Sequence, residues 1–385
     1  MTPSAANPPT WPEFVDPTPW LRFADNQDPQ AVLQAMQAQD PGERELALLL
    51  SPAARNLLEP MAQRAAALTR RHFGRIISLY SPLYVANYCS NGCSYCGFAS
   101  DRKQRRAHLS LDQVRKELDA MRSWGCQEVL ILTGERCPQA DVDYLEACVR
   151  LAAERMPSVA LEVFPMETAE YRRLAQAGAT SVTMYQETYD PVVYDQCHRW
   201  GAKKNYSYRL EAPDRLLAAG MRSVGIGALL GLGEPKAEMI SLFRHLRHLQ
   251  RGHWKAGVAL SFPRLRPQQG GFQPAHVVDD RQLAQIIWAF RTCLPTVALT
   301  LSTRESSAFR DGMAGVGISK MSVNSHTAVG GYTDQGETTK AQFDINDGRP
   351  TEEFLAMLRG KGLEPVFKNW DGVYREEPAA APIGG

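Results

Sequence analysis

The chain has 385 residues, with 43 basic against 42 acidic side chains and a net charge of +1. That is long enough for one large α/β barrel with extensions, and the charge gives no reason to expect a nucleic-acid partner. The hydrophobic share is 44% and no run approaches the roughly 18 uninterrupted apolar residues of a membrane span, so no membrane association is expected. The proline-rich start, MTPSAANPPTWPEFVDPTPW, lacks the basic head and apolar run of a secretory signal and reads as an irregular arm of a cytoplasmic protein.

Apolar residues at helical spacing over 42–74 predict a helical N-terminal extension, with Ser51-Pro52 opening a second helix. Beyond it, short β-branched or apolar runs predict strands at 77–87, 128–133, 159–164, 181–186, 223–232, 257–262, 297–302 and 317–323. Amphipathic segments at 110–125, 139–156, 167–178, 213–220, 236–250 and 279–294 predict helices between them. Eight strands alternating with helices imply parallel βα units, and eight closes a TIM-type (β/α)8 barrel; a doubly wound open sheet is the alternative. The expected division is 1–75 for arm and helical extension, 76–335 for the barrel, and 336–385 for a C-terminal helix near 350–362 and a tail packing on the barrel. His245 and His248, spaced like Arg244 and Arg247, predict a solvated basic helix face.

Of eight cysteines, only Cys89, Cys93 and Cys96 cluster, in 89-CSNGCSYCGF-98. Cys126, Cys148 and Cys293 fall in or beside helical segments and read as packed thiols, and Cys137 has no companion ligand in sequence. Structural zinc takes four protein ligands and no fourth is near, whereas a tight run of three thiolates suits iron and sulfide. A [4Fe–4S] cube held by three cysteines leaves one iron open. A zinc loop or three buried thiols is the bland alternative. Further candidates gather at strand ends: Thr133, Gly134 and Glu135 in 130-LILTGE-135, then Glu162, Gln186 and Glu187, and Arg304 flanked by Ser302, Thr303 and Ser306, with Ser322 on the eighth strand. A guanidinium binds a carboxylate as a two-pronged fork, which suits precise orientation of a substrate; the alternative for Arg304 is an ion pair with Glu305 or Glu135.

The spacing C-x3-C-x2-C, followed by Gly97-Phe98 and preceded by a first barrel strand, resembles the cluster motif of the radical S-adenosylmethionine (SAM) superfamily. That resemblance implies that SAM chelates the open iron and is split by an electron from the cluster to release a 5′-deoxyadenosyl radical. It places Thr133, Gly134 and Glu135 against the SAM ammonium and Phe98, Gln186 and Glu187 around the cofactor. It also pairs Arg209 with the SAM carboxylate, against the alternative of a surface salt bridge.

Over 48–370 the chain is similar to the 2-iminoacetate synthase family of tyrosine lyases in bacterial thiamin biosynthesis. The matching segments include 82-PLYVANYCSNGCSYCGF-98, 185-YQETY-189, 209-RLEAPDRL-216, 261-SFPRLRP-267 and 300-TLSTRES-306. The similarity implies cleavage of the Cα–Cβ bond of L-tyrosine to 2-iminoacetate and p-cresol. Arg304, with Ser302 and Ser322, would hold the substrate carboxylate, and Glu162, Glu187 and Tyr95 are the candidates to accept a proton. It further implies thiazole synthase as a partner and an electron donor such as flavodoxin or ferredoxin. The absence of a second cysteine triplet after Cys293 speaks against carbon monoxide and cyanide production. A lyase of tryptophan and a non-catalytic iron–sulfur protein are the alternative functions.

Overall fold

The structure, a computed structural model of the chain, describes residues 10–333 and 339–368. Eight parallel strands follow in sequence order: β1 Ile76–Tyr84, β2 Glu128–Leu132, β3 Ser158–Glu162, β4 Ser181–Thr183, β5 Ser223–Gly227, β6 Gly257–Ser261, β7 Ala298–Leu301 and β8 Lys320–Ser322. Residues 78–80 of β1 pair with 320–322 of β8, and residues 81–84 pair with 129–132 of β2, so the sheet closes on itself. The expected barrel is present and the open sheet is excluded. A ninth strand, β9 Glu364–Val366, pairs with 76–78 of β1; the sequence shows it only as a short apolar run, whose last residues, Asn369 and Trp370, lie outside the described residues.

Strands end earlier than hydropathy suggests. Pairing of β4 with β3 stops at Val182, while Met184 N and Gln186 N still donate to Gly225 O and Gly227 O at 2.8 and 3.1 Å. The barrel therefore parts between β3 and β4 at its C-terminal mouth, beside Glu162.

The outer helices follow from ordinary signals. Ser110 caps Leu111–Ser123 reciprocally with Gln113, and Asp141 and Asp279 cap Val142–Ala153 and Asp280–Cys293. Outward strand residues such as Val129, Ile131 and Leu161 join Leu118, Leu145 and Leu174 of the helices in one core. Cys126, Cys148 and Cys293 are buried in it as expected. The short helices Pro191–Cys197, Tyr206–Leu210 and Ser307–Met313 have too few turns to leave a periodic trace in the sequence.

The inward faces are unusual for a barrel, whose interior bulky branched side chains normally fill. Ala160, Ser181, Thr183, Gly225, Ala259 and Ser261 leave an axial cavity of about 540 Å³, floored by the ion pair of Lys320 and Glu128.

Two expectations need correction. Only part of the N-terminal arm is irregular, because Thr18–Ala24 and Pro29–Gln37 are helices whose prolines occupy the first turn, where a missing N–H costs nothing. The face of Pro235–Gly252 that carries His245 is not solvated either. The arm covers it: Phe14 packs edge-on to His245 at 5.8 Å, and Arg244 donates to Glu13 O at 2.8 Å. His245 is 1% exposed, hydrogen-bonded to the Tyr189 hydroxyl at 2.9 Å, and burial pushes its pKa down to about 3.

The chain after the barrel is tied back by charge. Asp347 joins Arg310, whose guanidinium also donates to Ser322 O of β8, and accepts from Arg349 at 2.9 Å. Arg310 is 1% exposed, so removing its carboxylate partner leaves an uncompensated buried cation. Asp347→Ala is expected to cost about 3–5 kcal/mol in denaturant unfolding, and Arg310→Met added to it to recover much of that loss.

Candidate active site

The cysteine loop leaves the C-terminal end of β1 and is held by side chains that satisfy its carbonyls. Arg106 donates to Asn87 O and Phe98 O at 2.7 and 2.8 Å, and Arg102 to Ser94 O and Cys96 O at 2.7 and 3.3 Å. Cys89 Sγ accepts from Glu135 N at 3.4 Å, and Cys96 Sγ from Phe98 N at 3.4 Å and Gln342 Nε2 at 3.6 Å. All three cysteines line one cavity of about 570 Å³, and none of the other five does. Burial pushes the Cys89 and Cys93 thiols up to about 11 and 12, so as bare thiols they keep their protons at neutral pH and surrender them on metal binding.

The site suits an iron–sulfur cluster. Its donors are sulfur alone, backbone N–H groups point at two of the sulfurs, and apolar Phe98 and Leu132 wall it. Among the described residues no three Cys, His, Asp or Glu side chains are gathered closely enough to chelate one ion.

Thr133, Gly134 and Glu135 follow β2 into the same cavity. The glycine is required by the cysteine loop. A Cβ there would stand 2.2 Å from Tyr88 O and 2.8 Å from Cys89 Cβ, so the close approach it permits is that of the cysteine loop itself. Glu135 is 7% exposed and is oriented by Asn91, whose Nδ2 donates to Oε2 at 2.9 Å. Phe98 stands edge-on to Tyr84 at 5.6 Å, behind Cys96. Glu187, at φ 73°, accepts from Lys203 Nζ at 2.6 Å and has Arg209 at 3.6 Å. Burial alone would raise this carboxyl, but the two cations hold it below the ordinary range. Arg209 is buried, with Nε donating to Tyr185 O at 2.7 Å, so the surface salt bridge is excluded. Gln186 lines none of these cavities. Thr183, Tyr185 and Glu187 face inward, so alternation turns Gln186 outward, where its buried amide has no hydrogen-bond partner among the described residues.

A second group of side chains stands beside the first. Arg304 lies over the Phe343 ring at 3.4 Å, reaches only the backbone oxygen of Arg264 at 3.4 Å, and has no carboxylate partner among the described residues. The ion pair with Glu305 or Glu135 does not form: Glu305 is taken by Arg264 and Arg266. Ser302 and Ser322 share a pocket with Arg304, and Ser322 Oγ accepts from Thr303 N at 3.0 Å. Glu162, at the end of β3, borders the cysteine cavity, the Arg304 pocket and the space between them. Burial pushes its carboxyl up to about 7, against the pull of Arg304 and with a push from Glu187.

Tyr95 donates its hydroxyl proton to His198 Nε2 at 2.7 Å. The donor is fixed because His198 Nδ1 faces Tyr194 O at 2.8 Å and must carry that ring's hydrogen. Burial raises the Tyr95 phenol well above its ordinary value and pushes His198 down to about 3. Of the three expected proton acceptors, Glu187 is thus held as an ion and Tyr95 as a phenol, and Glu162 alone has a titration near neutrality. Lys203, Asn91, His198, Gln342 and Phe343 complete the site. Asn91 lies inside the cysteine motif, while nothing in the sequence around the other four carries a recognisable spacing.

Known proteins agree with this geometry. Residues 83–246 match the model of the Radical SAM superfamily, and 261–364 match the Biotin and Thiamin Synthesis associated domain. The 2-iminoacetate synthases of Salmonella typhimurium and Escherichia coli are each 40% identical over 341 residues, spanning 88% of this chain and 90% of theirs. Among solved structures, HydG, a maturase of the [FeFe]-hydrogenase, superposes with a TM-score of 0.87 at 28% identity over 93% of this chain and 81% of its own. HydG from Carboxydothermus hydrogenoformans gives 0.80 at 29%, over 92% and 81%. On its thiol-lined barrel mouth and this similarity along nearly its whole length, the chain belongs to the 2-iminoacetate synthase family of radical SAM enzymes.

Proposed function

We propose that this chain is a radical SAM lyase that cleaves the Cα–Cβ bond of L-tyrosine, giving 2-iminoacetate for the thiazole of thiamin and p-cresol, with SAM converted to 5′-deoxyadenosine and methionine. The observation that carries the reading is Arg304: a cation without a carboxylate partner among the described residues, in a pocket that Glu162 joins to the cysteine cavity. Cys89, Cys93 and Cys96 would hold a [4Fe–4S] cluster, with Glu135, Glu187 and Arg209 beside SAM. Together these cofactors supply the abstraction of a hydrogen atom from the substrate.

The chain's own residues set up that abstraction. Arg304 takes the tyrosine carboxylate as a fork, and the Phe343 ring beneath it limits the orientations the guanidinium can adopt. Loss of hydrogen from nitrogen requires a neutral amine, and Glu162 is placed and poised to accept the ammonium proton. The aromatic ring fits the pocket lined by Tyr80, Tyr185 and Ser261. The phenol oxygen stabilises the benzylic fragment that departs, which makes phenylalanine a poor substitute. Thiazole synthase is the natural receiver of the product, because an imine of this kind hydrolyses in water. The reducing electrons come from a carrier such as flavodoxin or ferredoxin.

Anaerobic incubation of cluster-loaded protein with SAM, reductant and tyrosine should yield 5′-deoxyadenosine and p-cresol together, and Cys93→Ala should yield neither. Deoxyadenosine without p-cresol, or p-cresol replaced by an indole product from tryptophan, would refute the tyrosine assignment. Arg304→Ala should lower kcat/KM for tyrosine about 100-fold, a loss of about 2–3 kcal/mol typical of a charged hydrogen-bond partner, while SAM binding is retained. For the base, kcat/KM should rise with pH through about 7 as Glu162 deprotonates. Glu162→Gln should remove that rise along with most of the rate, and an unchanged profile would move the proton acceptor elsewhere.

A further inference from the structure

The lyase reading requires electrons from outside the protein, and one face of the chain is built over the cysteine loop in a way that suits their source. Trp200 is 41% exposed, one of six large hydrophobic side chains left exposed among the described residues. Its indole lies on Gly92, the residue before Cys93, so closely that a Cβ at Gly92 would stand 2.3 Å from the ring. Hydrogen bonds fix the contact. Gly92 N donates to Trp200 O at 3.0 Å, the indole Nε1 to Ser100 Oγ at 3.0 Å, and Arg199 Nε to Gly92 O at 2.9 Å, while Cys93 forms a β-bridge with His198. An exposed aromatic thus caps the backbone between two of the three cysteines.

Positive charge surrounds it. The runs 101–106 and 199–204 together hold seven basic residues and one acidic, in a chain whose net charge is +1. Most of this charge is already spoken for: Arg199 and Arg102 pair with Asp101, Lys204 with Asp195 and Lys203 with Glu187, and Arg102 and Arg106 turn onto loop carbonyls. Lys103 is exposed, three residues beyond the serine that Trp200 binds. Tryptophan and arginine at the centre of a basic field are the composition of a protein interface, and the field steers an acidic partner onto it.

We propose that this face, centred on Trp200 and Lys103, is where an acidic one-electron carrier protein docks to reduce the cluster. The carrier is oxidised by one electron and the cluster reduced by one, with no proton or group transferred. The route runs from the carrier through the indole and the Gly92 backbone to the cysteine sulfurs.

The proposal rests on the radical-lyase reading, and two reductants separate them. Cluster-loaded full chain is supplied with SAM and tyrosine and driven either by dithionite or by flavodoxin held reduced by its NADPH-dependent reductase; 5′-deoxyadenosine is measured. Trp200→Ala and Lys103→Glu should keep the dithionite rate within about two-fold. Each should lose about ten-fold in kcat/KM for the carrier and about as much in its binding affinity, measured by calorimetry on the same cluster-loaded chain without SAM or tyrosine, and the salt dependence of both should flatten in Lys103→Glu. Should Trp200→Ala disturb the loop and lose the dithionite rate as well, Lys103→Glu, whose side chain holds no part of the loop, decides. Variants equal to the parent in the carrier arm overturn the docking face. So does a parent that runs on dithionite but accepts electrons from neither flavodoxin nor a ferredoxin. A parent inactive with dithionite overturns the lyase reading instead.

Discussion

Three thiols on an open loop, one buried and two half-buried, have no metal-independent reason to stay in place, and the site depends on how this chain holds the backbone that carries them. Two guanidiniums do it. Arg102 and Arg106 between them bind the carbonyls of Asn87, Ser94, Cys96 and Phe98. Arginine suits the task because its donors form a rigid fork and its charge is not lost at any accessible pH. With the carbonyls drawn to one side, the loop's sulfurs face the other, toward the mouth of the barrel. The contact of Gly134 with Tyr88 then presses the end of β2 against the same loop, so that Glu135 and the cysteines come into register through packing rather than through a shared ligand.

Around that frame the same residue type performs opposite tasks. Glu162 and Glu187 both border the cysteine cavity, and the charge of Glu187 helps to raise the Glu162 carboxyl. Lys203 and Arg209 fix Glu187 as a permanent anion, a role suited to binding hydroxyl or ammonium groups. Glu162 feels Arg304, Lys203 and Arg209 through charge alone, burial outweighs them, and so its proton can come and go. Two carboxylates with separated affinities for a proton let one site bind a cation and accept a proton without the two functions competing. Tyr95 belongs to the frame: its hydroxyl is consumed by His198, and its ring has Lys203 5.6 Å from its centroid.

Much of this could be read from sequence where spacing is local. The cysteine triplet, the Gly134-Glu135 strand end and the serine-flanked Arg304 each fall within a few residues, and strand and helix periods gave the barrel. What stayed hidden is what closure brings together. Lys203 meets Glu187 across a loop, His198 meets Tyr95 from 103 residues away, and Gln342 meets Cys96 from 246. None of these pairs has a periodic or motif signature. Gln186 is the opposite case, because the period of two, counted from Glu187, was enough to turn it away from the cavity. The spacing around His245 does not disclose its burial, because a helix face that is basic in sequence can still be covered by another segment, here the arm that carries Phe14.

The strand that leads into the cysteines is also the one whose neighbours arrive last. β1 spans Ile76–Tyr84, but two of its three partners, β8 and β9, begin only at Lys320 and Glu364. During synthesis the cysteines are therefore outside the ribosome and exposed while most of the chain is still unmade, and the pairing that fixes their strand is among the most non-local in the molecule. Cluster insertion is in consequence a step for the finished chain. Delivery before release would find an unformed loop with no Gln342 and no closed barrel behind it, and the interval before closure is when these thiols are most open to oxidation.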